Sequence, residues 1–330
     1  MKHTKMWLMA GAITATTALA LTGCSTGDAP AGGDGETKTD ITVGFSVYDM
    51  QYEFFQEMEA GTKAAVEANG WDYVLHDEKS DENEMVTGAI ALLDSGIDVL
   101  IISPFKPDAL GSIVDHAKEL GVPVIVDDIG GGGTAYDAIV VSDNKDGGVQ
   151  AADYIDATVQ ALGLTSKKVV SITCQPDAVY AAQRNIGYED EITSLGYEVA
   201  TSLSGDSDAT KAYTIMKDAL AKDPDVSAVF ACNDDMAVAA SNAIADAGKT
   251  PGKDIVVVGY NGDPSALEAI QAGTVNATVA QDPNGMGKLT VELAKTILDG
   301  GTITFGDDEN REVYNPVTLV TSENVADFVG

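Results

Sequence analysis

An α/β fold of two similar lobes, each a parallel sheet with helices packed on its faces, is the architecture this 330-residue chain predicts. Three observations carry that expectation. Short β-branched apolar runs alternate with helical stretches from Ile41 onward. Several of the runs are apolar without interruption, as strands covered on both faces are. The alternation also comes in two successive series, and strand–helix–strand at this rhythm means parallel sheets with right-handed crossovers.

The first series of strands is Ile41–Val47, Tyr73–His76, Val99–Ser103, Val122–Val126 and Ile139–Ser142. The second is Lys168–Thr173, Glu198–Leu203, Ala228–Cys232, Ile255–Gly259 and Ala277–Ala280. Between strands, Thr210–Lys222 is a clear amphipathic helix, with Ala212, Ile215, Met216, Ala219 and Leu220 on one stripe. Lys145–Leu162 carries a looser stripe. Gly70, Gly121, Gly163, Gly196 and Gly248 follow helical stretches, where a left-handed cap favours glycine. The lobe boundary is expected near Ser142–Asp143.

The N-terminal stretch reads as an address. Lys2, His3 and Lys5 precede a small-residue apolar run, Met6–Leu21, too short and too rich in Ala and Thr for a membrane span. It ends in Leu21-Thr22-Gly23-Cys24, which resembles the lipobox of bacterial lipoproteins. The resemblance implies a signal peptide over 1–23 and lipidation of Cys24, and two or more acyl chains anchor stably. Residues 24–40, rich in Gly, Ser, Thr, Asp and Ala, read as a flexible tether.

The formal charge of -33 disfavours nucleic acid and anionic headgroups as partners. After Cys24 only Cys174 and Cys232 remain, both in apolar strand-like runs. Buried free thiols are expected; one disulfide is possible if the fold joins them.

Polar side chains and aromatics recur just past the strands: Ser46 with Phe54-Phe55, Ser103, Asp127-Asp128, Asn233-Asp234, Asn261 and Gln281. In open α/β sheets, ligands bind outside the carboxyl ends of strands. The competing reading is that such residues cap the next helix, and Asp234, ahead of Met236-Ala237-Val238, is expected to do so.

At this point the sequence resembles the type I periplasmic binding proteins, and among them the ribose and pentose receptors. The resemblance rests on an ordered set of stretches. These are Ile41–Ser46 with Phe54-Phe55 and Gly61; Leu100–Pro104; Gly121–Ile125 with Asp128; Ser142-Asp143-Asn144 with Gly147; Arg184 with Gly187-Tyr188; Ala228–Ala237; Val257–Gly262; and Ala277–Gln281. It implies two Rossmann-like lobes joined by a three-crossing hinge. The N-terminal lobe is then 41–142 plus 282–318 and the C-terminal lobe 143–281 plus 319–330. It also implies capture of a monosaccharide or related polyol in the cleft for delivery to ABC permease subunits, by a monomer and with no cofactor, metal or reaction.

Site roles carry over residue by residue. Phe54 and Phe55 match aromatics that pack on a sugar's apolar faces; being adjacent, one is expected to face the core. Asp128 matches a carboxylate that accepts from hydroxyls, and Arg184 a guanidinium that donates a fork; a salt bridge within its lobe is the alternative for Arg184. Asn233 and Gln281 match amides that donate and accept. Ser46, Ser103 and Asn261 occupy cleft positions. Ribose receptors carry Arg where this chain has Ile129 and Asp where it has Asn261. The loop holding Tyr48, Asp49, Gln51 and Tyr52 is longer, so another pentose, a hexose, a polyol or a furanosyl signalling molecule stays open.

Other classes fit less well. Gly130–Gly133 lacks the Lys-Ser/Thr of a phosphate-binding loop, and His76 and His116 sit in no nucleophile constellation. Asp206-Ser207-Asp208 lacks the glycine and glutamate of a calcium loop, with Lys211 and Lys217 in their places. A DNA-binding regulator needs a helix-turn-helix where the signal and tether lie. A sensor that presents ligand to a membrane kinase or chemoreceptor is the remaining alternative to an importer component.

Overall fold

The computed structural model describes residues 40–130, 134–176 and 178–329. The signal peptide, tether and Cys24, and residues 131–133 of the glycine run, lie outside the described residues.

The apolar runs build two six-stranded sheets. The first contains β1 (Thr42–Val47), β2 (Asp72–Asp77), β3 (Val99–Ser103), β4 (Val124–Asp127) and β5 (Ala138–Ser142). The second contains β6 (Lys168–Thr173), β7 (Glu198–Ser204), β8 (Ala228–Ala231), β9 (Val256–Asn261) and β10 (Ala277–Ala280). Each sheet is completed by a late, four-residue strand, β11 (Glu312–Asn315) in the first and β12 (Thr318–Thr321) in the second. The order is β2-β1-β3-β4-β5-β11 in one and β7-β6-β8-β9-β10-β12 in the other. All pairings are parallel except β10 with β12.

The central strands β3, β4, β5 and β8 are buried at every residue, which is why they carry no polar alternation. The edge strands β2 and β7 are largely open, and their sequences mix polar and apolar residues accordingly. The helices are α1 (Glu53–Ala68), α2 (Glu82–Asp94), α3 (Leu110–Leu120), α4 (Asn144–Ala161), α5 (Val179–Ser194), α6 (Ala209–Lys222), α7 (Asp234–Asp246), α8 (Pro264–Ala272) and α9 (Pro283–Leu298). The five helix-terminating glycines all take positive φ, between 69° and 87°.

The chain passes between sheets three times: after β5, between β10 and α9, and between Asn315 and Thr318. Thr318 pairs with Ala280 in the second sheet, so the last passage ends one residue earlier than expected. The passages are tied to one another. The Asp143 amide donates to the Asn315 carbonyl (2.9 Å), Asn315 Nδ2 to the Asp282 carbonyl (3.1 Å), and Ser142 Oγ to Gln281 Oε1 (2.9 Å).

Each lobe is clasped by a pair of helices that meet on glycine. A Cβ on Gly61 would collide with the Asn284 backbone, and one on Gly287 with the Met58 carbonyl, so α1 and α9 pack backbone to backbone. In the second lobe, Gly148 lies against the Arg184 carbonyl and Gly187 against the Lys145 carbonyl, which joins α4 to α5 in the same way.

Cys174 and Cys232 are not free thiols. They form a disulfide with Cα atoms 5.6 Å apart, because β6 and β8 are neighbours and both cysteines immediately follow their carboxyl ends. Asp234 is not the cap of α7 either. Asn233 is, its Oδ1 accepting from the Met236 amide at 2.9 Å.

Closing a 58-residue separation restricts the unfolded chain by about 4 kcal/mol on a chain-entropy account. A Cys174→Ala/Cys232→Ala double variant is therefore expected to lose stability of that order in urea unfolding.

Candidate functional site

The carboxyl ends of the two sheets' strands supply the site. In the second lobe its centre is Arg184, 8% exposed on α5. Its Nε donates to Asn144 Oδ1 (2.8 Å), and its Nη1 to the Cys232 carbonyl (2.9 Å) and Asn261 Oδ1 (3.0 Å). The guanidinium lies over the Tyr260 ring, 4.0 Å from its centroid. All three acceptors are neutral, so none of these bonds is a salt bridge. Burial lowers the Arg184 pKa, with Tyr260, Asp128, Asp234 and Asp263 acting in the opposite sense.

Asn261 stands at the end of β9 with φ 127°, a conformation that costs a non-glycine residue about 1–3 kcal/mol and persists only where surroundings enforce it. They do so here. Its Oδ1 accepts from Arg184 and from Gln281 Nε2 (3.0 Å), and its Nδ2 donates to Asp263 Oδ2 (3.1 Å). Gln281 in turn accepts from Ser142. A hydrogen-bonded chain thus runs from the first passage, through the second, to Arg184.

Asp128 comes from the first lobe, just past β4, with φ 64°. It lines one cavity of about 240 Å³ together with Arg184, Asn144 and Pro107. Burial pushes its carboxyl up to about 6, and the Arg184 charge pulls the other way. Asp127 is fully buried, and burial followed by the Asp128 charge pushes it well above the usual carboxylate range.

The two phenylalanines separate. Phe55 is buried, stacked on Tyr48 at 4.8 Å with rings nearly parallel. Phe54 is half-buried and lines a second cavity, of about 220 Å³, with Asn261, Gln281 and Asp263. Ser103, at the end of β3, is fully buried with no hydrogen bond at its Oγ among the described residues. Ser46 is also fully buried, but its hydroxyl is committed to Glu78 Oε1 at 2.7 Å. Asn233 commits its Oδ1 to capping α7.

Sequence reasoning gave no role to Ser142, Asn144 or Tyr260, although all three stand in the stretches that carry the resemblance. It missed Glu78 and Asp234 as buried anchors. Glu78 accepts from Ser46 and, at 2.7 Å, from the Phe105 amide, which binds the ends of β1 and β2 to the turn after β3. Asp234 accepts from the Gly262 and Asp263 amides and from Thr278 Oγ1, at 2.8, 2.8 and 2.7 Å, and so shapes the turn that carries Asn261. Burial pushes both carboxyls up to about 7, against the donors that favour their charged forms.

Residues 43–302 match the family model described as periplasmic binding protein domain. The chain belongs to the periplasmic binding protein family. It is 33% identical to the ribose import binding protein of Bacillus subtilis over 87% of this chain and 89% of that one. A solute-binding protein of a carbohydrate transporter from Agrobacterium radiobacter, solved with D-arabinose, superposes with a TM-score of 0.67 at 28% identity, over 87% of this chain and 96% of that one. A periplasmic ribose ABC transporter structure from Conexibacter woesei shares the fold, with a TM-score of 0.77 at 24% identity, over 87% and 94%. The family is one of type I binding proteins of the ribose and pentose kind, whose members are binding proteins and not enzymes. In this chain Asp128, just past β4 of the first sheet, and Arg184, on α5 of the second lobe, line a common cavity.

Two outcomes follow. Lysine at position 184 cannot reproduce a planar fork aimed at Asn144, Cys232 and Asn261. Arg184→Lys is expected to cost about 1–3 kcal/mol for each acceptor left without a donor, read by urea unfolding. Glu78 titrates near 7 in the folded chain against a reference of 4.5. The unfolded state then releases its proton first as pH rises, so this group's contribution is full below 4.5 and is lost on the way to 7. Glu78→Gln is expected to flatten the stability profile across that window by up to about 3 kcal/mol relative to the parent chain, measured by unfolding at pH 4.5 and pH 7.5.

Proposed function

We propose that this chain captures a monosaccharide or related polyol between Asp128 and Arg184 and delivers it to the permease of an ABC importer. The observation that carries the reading is the shared cavity, with a hydrogen-bond acceptor from the first lobe facing a donor from the second. Sugar hydroxyls need both kinds of partner at once. Among the described residues the bonds to Arg184 use Nε and Nη1, and Nη2 is the donor we assign to a ligand. Phe54 lines a separate cavity with Asn261 and Gln281, and Asn261 joins the two by its bond to Arg184. The similarity to a ribose import binding protein and to a solute-binding protein solved with D-arabinose supports the same chemical class.

The rest of the reading concerns place. The Leu21–Cys24 tetrapeptide supports a lipid anchor on Cys24, with the acidic tether letting the binding domain reach a permease from an extracytoplasmic membrane face. No helix among the described residues is long and apolar enough to cross a membrane. We take the two lobes as 41–142 with 282–317 and 143–281 with 318–330, acting as a monomer.

The test is a thermal-shift panel of pentoses, hexoses and polyols on the chain from Ser25 onward. A ligand present at 100 times its Kd adds about 2.7 kcal/mol to stability. A shift with at least one monosaccharide, lost in both Asp128→Ala and Arg184→Ala, is the expected outcome. A flat panel, or a shift that survives both substitutions, contradicts the reading.

A further inference from the structure

Tyr180 belongs to the second lobe by its place in α5 and to the first lobe by its contacts. Its ring packs on the first-lobe cluster built around Leu110, Tyr136 and Ile139. Its hydroxyl interacts with the Tyr136 hydroxyl and the Glu312 carboxylate, both first-lobe groups. Val179 beside it lines the same three cavities but is 66% exposed, whereas Tyr180 is packed on the first-lobe cluster.

Around this ring lie three adjoining cavities, each of which it lines. One is the space of about 240 Å³ that holds Asp128 and Arg184. Another, of about 450 Å³, is bounded by Asp143, Lys145, Gln183 and Asn310. Asn144, which accepts from Arg184, lines both of them. The first is smaller than the roughly 300 Å³ at which sites for drug-sized ligands begin, while the two together fall well inside that range. The larger space combines polar side chains, Asp143, Gln183 and Asn310, with an apolar lining that includes Val149 and Tyr314, and without the partition it has room for a second sugar ring.

We infer that Tyr180 is the partition that restricts the binding cavity to a single sugar ring, and thus a specificity-determining residue for ligand size. The inference rests on the reading of the Asp128–Arg184 cavity as the sugar site. The ring does the work by filling space between the lobes, packed on the cluster that holds Leu110, Tyr136 and Ile139.

The experiment is calorimetric titration of the parent chain, Tyr180→Phe and Tyr180→Ala. The probes are D-ribose, D-arabinose, D-xylose and D-glucose, with xylobiose and cellobiose as two-ring counterparts of the last two. Expected for the parent is a preference of at least about 100-fold for single rings, that is about 2.7 kcal/mol. Tyr180→Phe keeps that ratio. Tyr180→Ala brings it to within about tenfold. Should Tyr180→Ala fail to fold, Tyr180→Leu keeps apolar packing without the ring and carries the same test. A folded Tyr180→Ala or Tyr180→Leu chain that retains the parent's ratio overturns the inference, as does a parent that binds two-ring sugars as well as single rings. Failure of the underlying reading looks different: no monosaccharide binds the parent in a manner that needs Asp128 and Arg184.

Discussion

The buried guanidinium of Arg184 is the constraint on which the rest of the site depends. Removing such a charge from water is costly unless its hydrogens find partners. Here the partners come from three directions: Asn144 at the start of α4, the Cys232 carbonyl after β8, and Asn261 at the end of β9. Each is itself fixed. The disulfide holds the strand ends that carry Cys232, and Asp234 clamps the turn after Asn261. The positive φ of Asn261 is the local cost of aiming one amide at both Arg184 and Gln281.

The same chain of bonds reaches the passages between the lobes. Ser142 and Asn144 flank the first passage and Gln281 begins the second, so Arg184 is joined to the hinge by side chains alone. A ligand shifts a two-lobe equilibrium only by binding one arrangement better than another. One that touches Asp128 and Arg184 together does so by construction, because Asp128 follows a strand of the first lobe and Arg184 stands on α5 of the second. The glycine contacts of α1 with α9 and of α4 with α5 bring each pair of helices backbone to backbone within one lobe, whereas only three stretches of chain join the lobes, and hinge motions are absorbed by a few such residues.

Much of this was legible in the residues. All ten strands of the two series occur in order, and Val99–Ser103, Lys168–Thr173 and Ala277–Ala280 have the expected bounds. Periodicity sufficed because the central strands are buried on both faces. The two closing strands β11 and β12 were not read, since four residues such as Glu312–Asn315 carry too little apolar pattern to stand out. Arg184 and Asp128 were legible as a pair through the family's stretches. Glu78 was not: with 52 acidic residues in the chain, nothing local distinguishes one buried carboxylate from a solvated face. Tyr180 escaped for a different reason. Its contacts cross between lobes, and no spacing along α5 reports what a side chain meets on another sheet.

A crystal structure of the chain with a bound monosaccharide tests the central claim most directly. The account predicts one sugar ring with a hydroxyl within hydrogen-bond reach of the Asp128 carboxylate and another on Arg184, with the bonds from Arg184 to Asn144 and Asn261 intact. A sugar seated away from that pair, or an Arg184 that swings out of its network to bind, contradicts it.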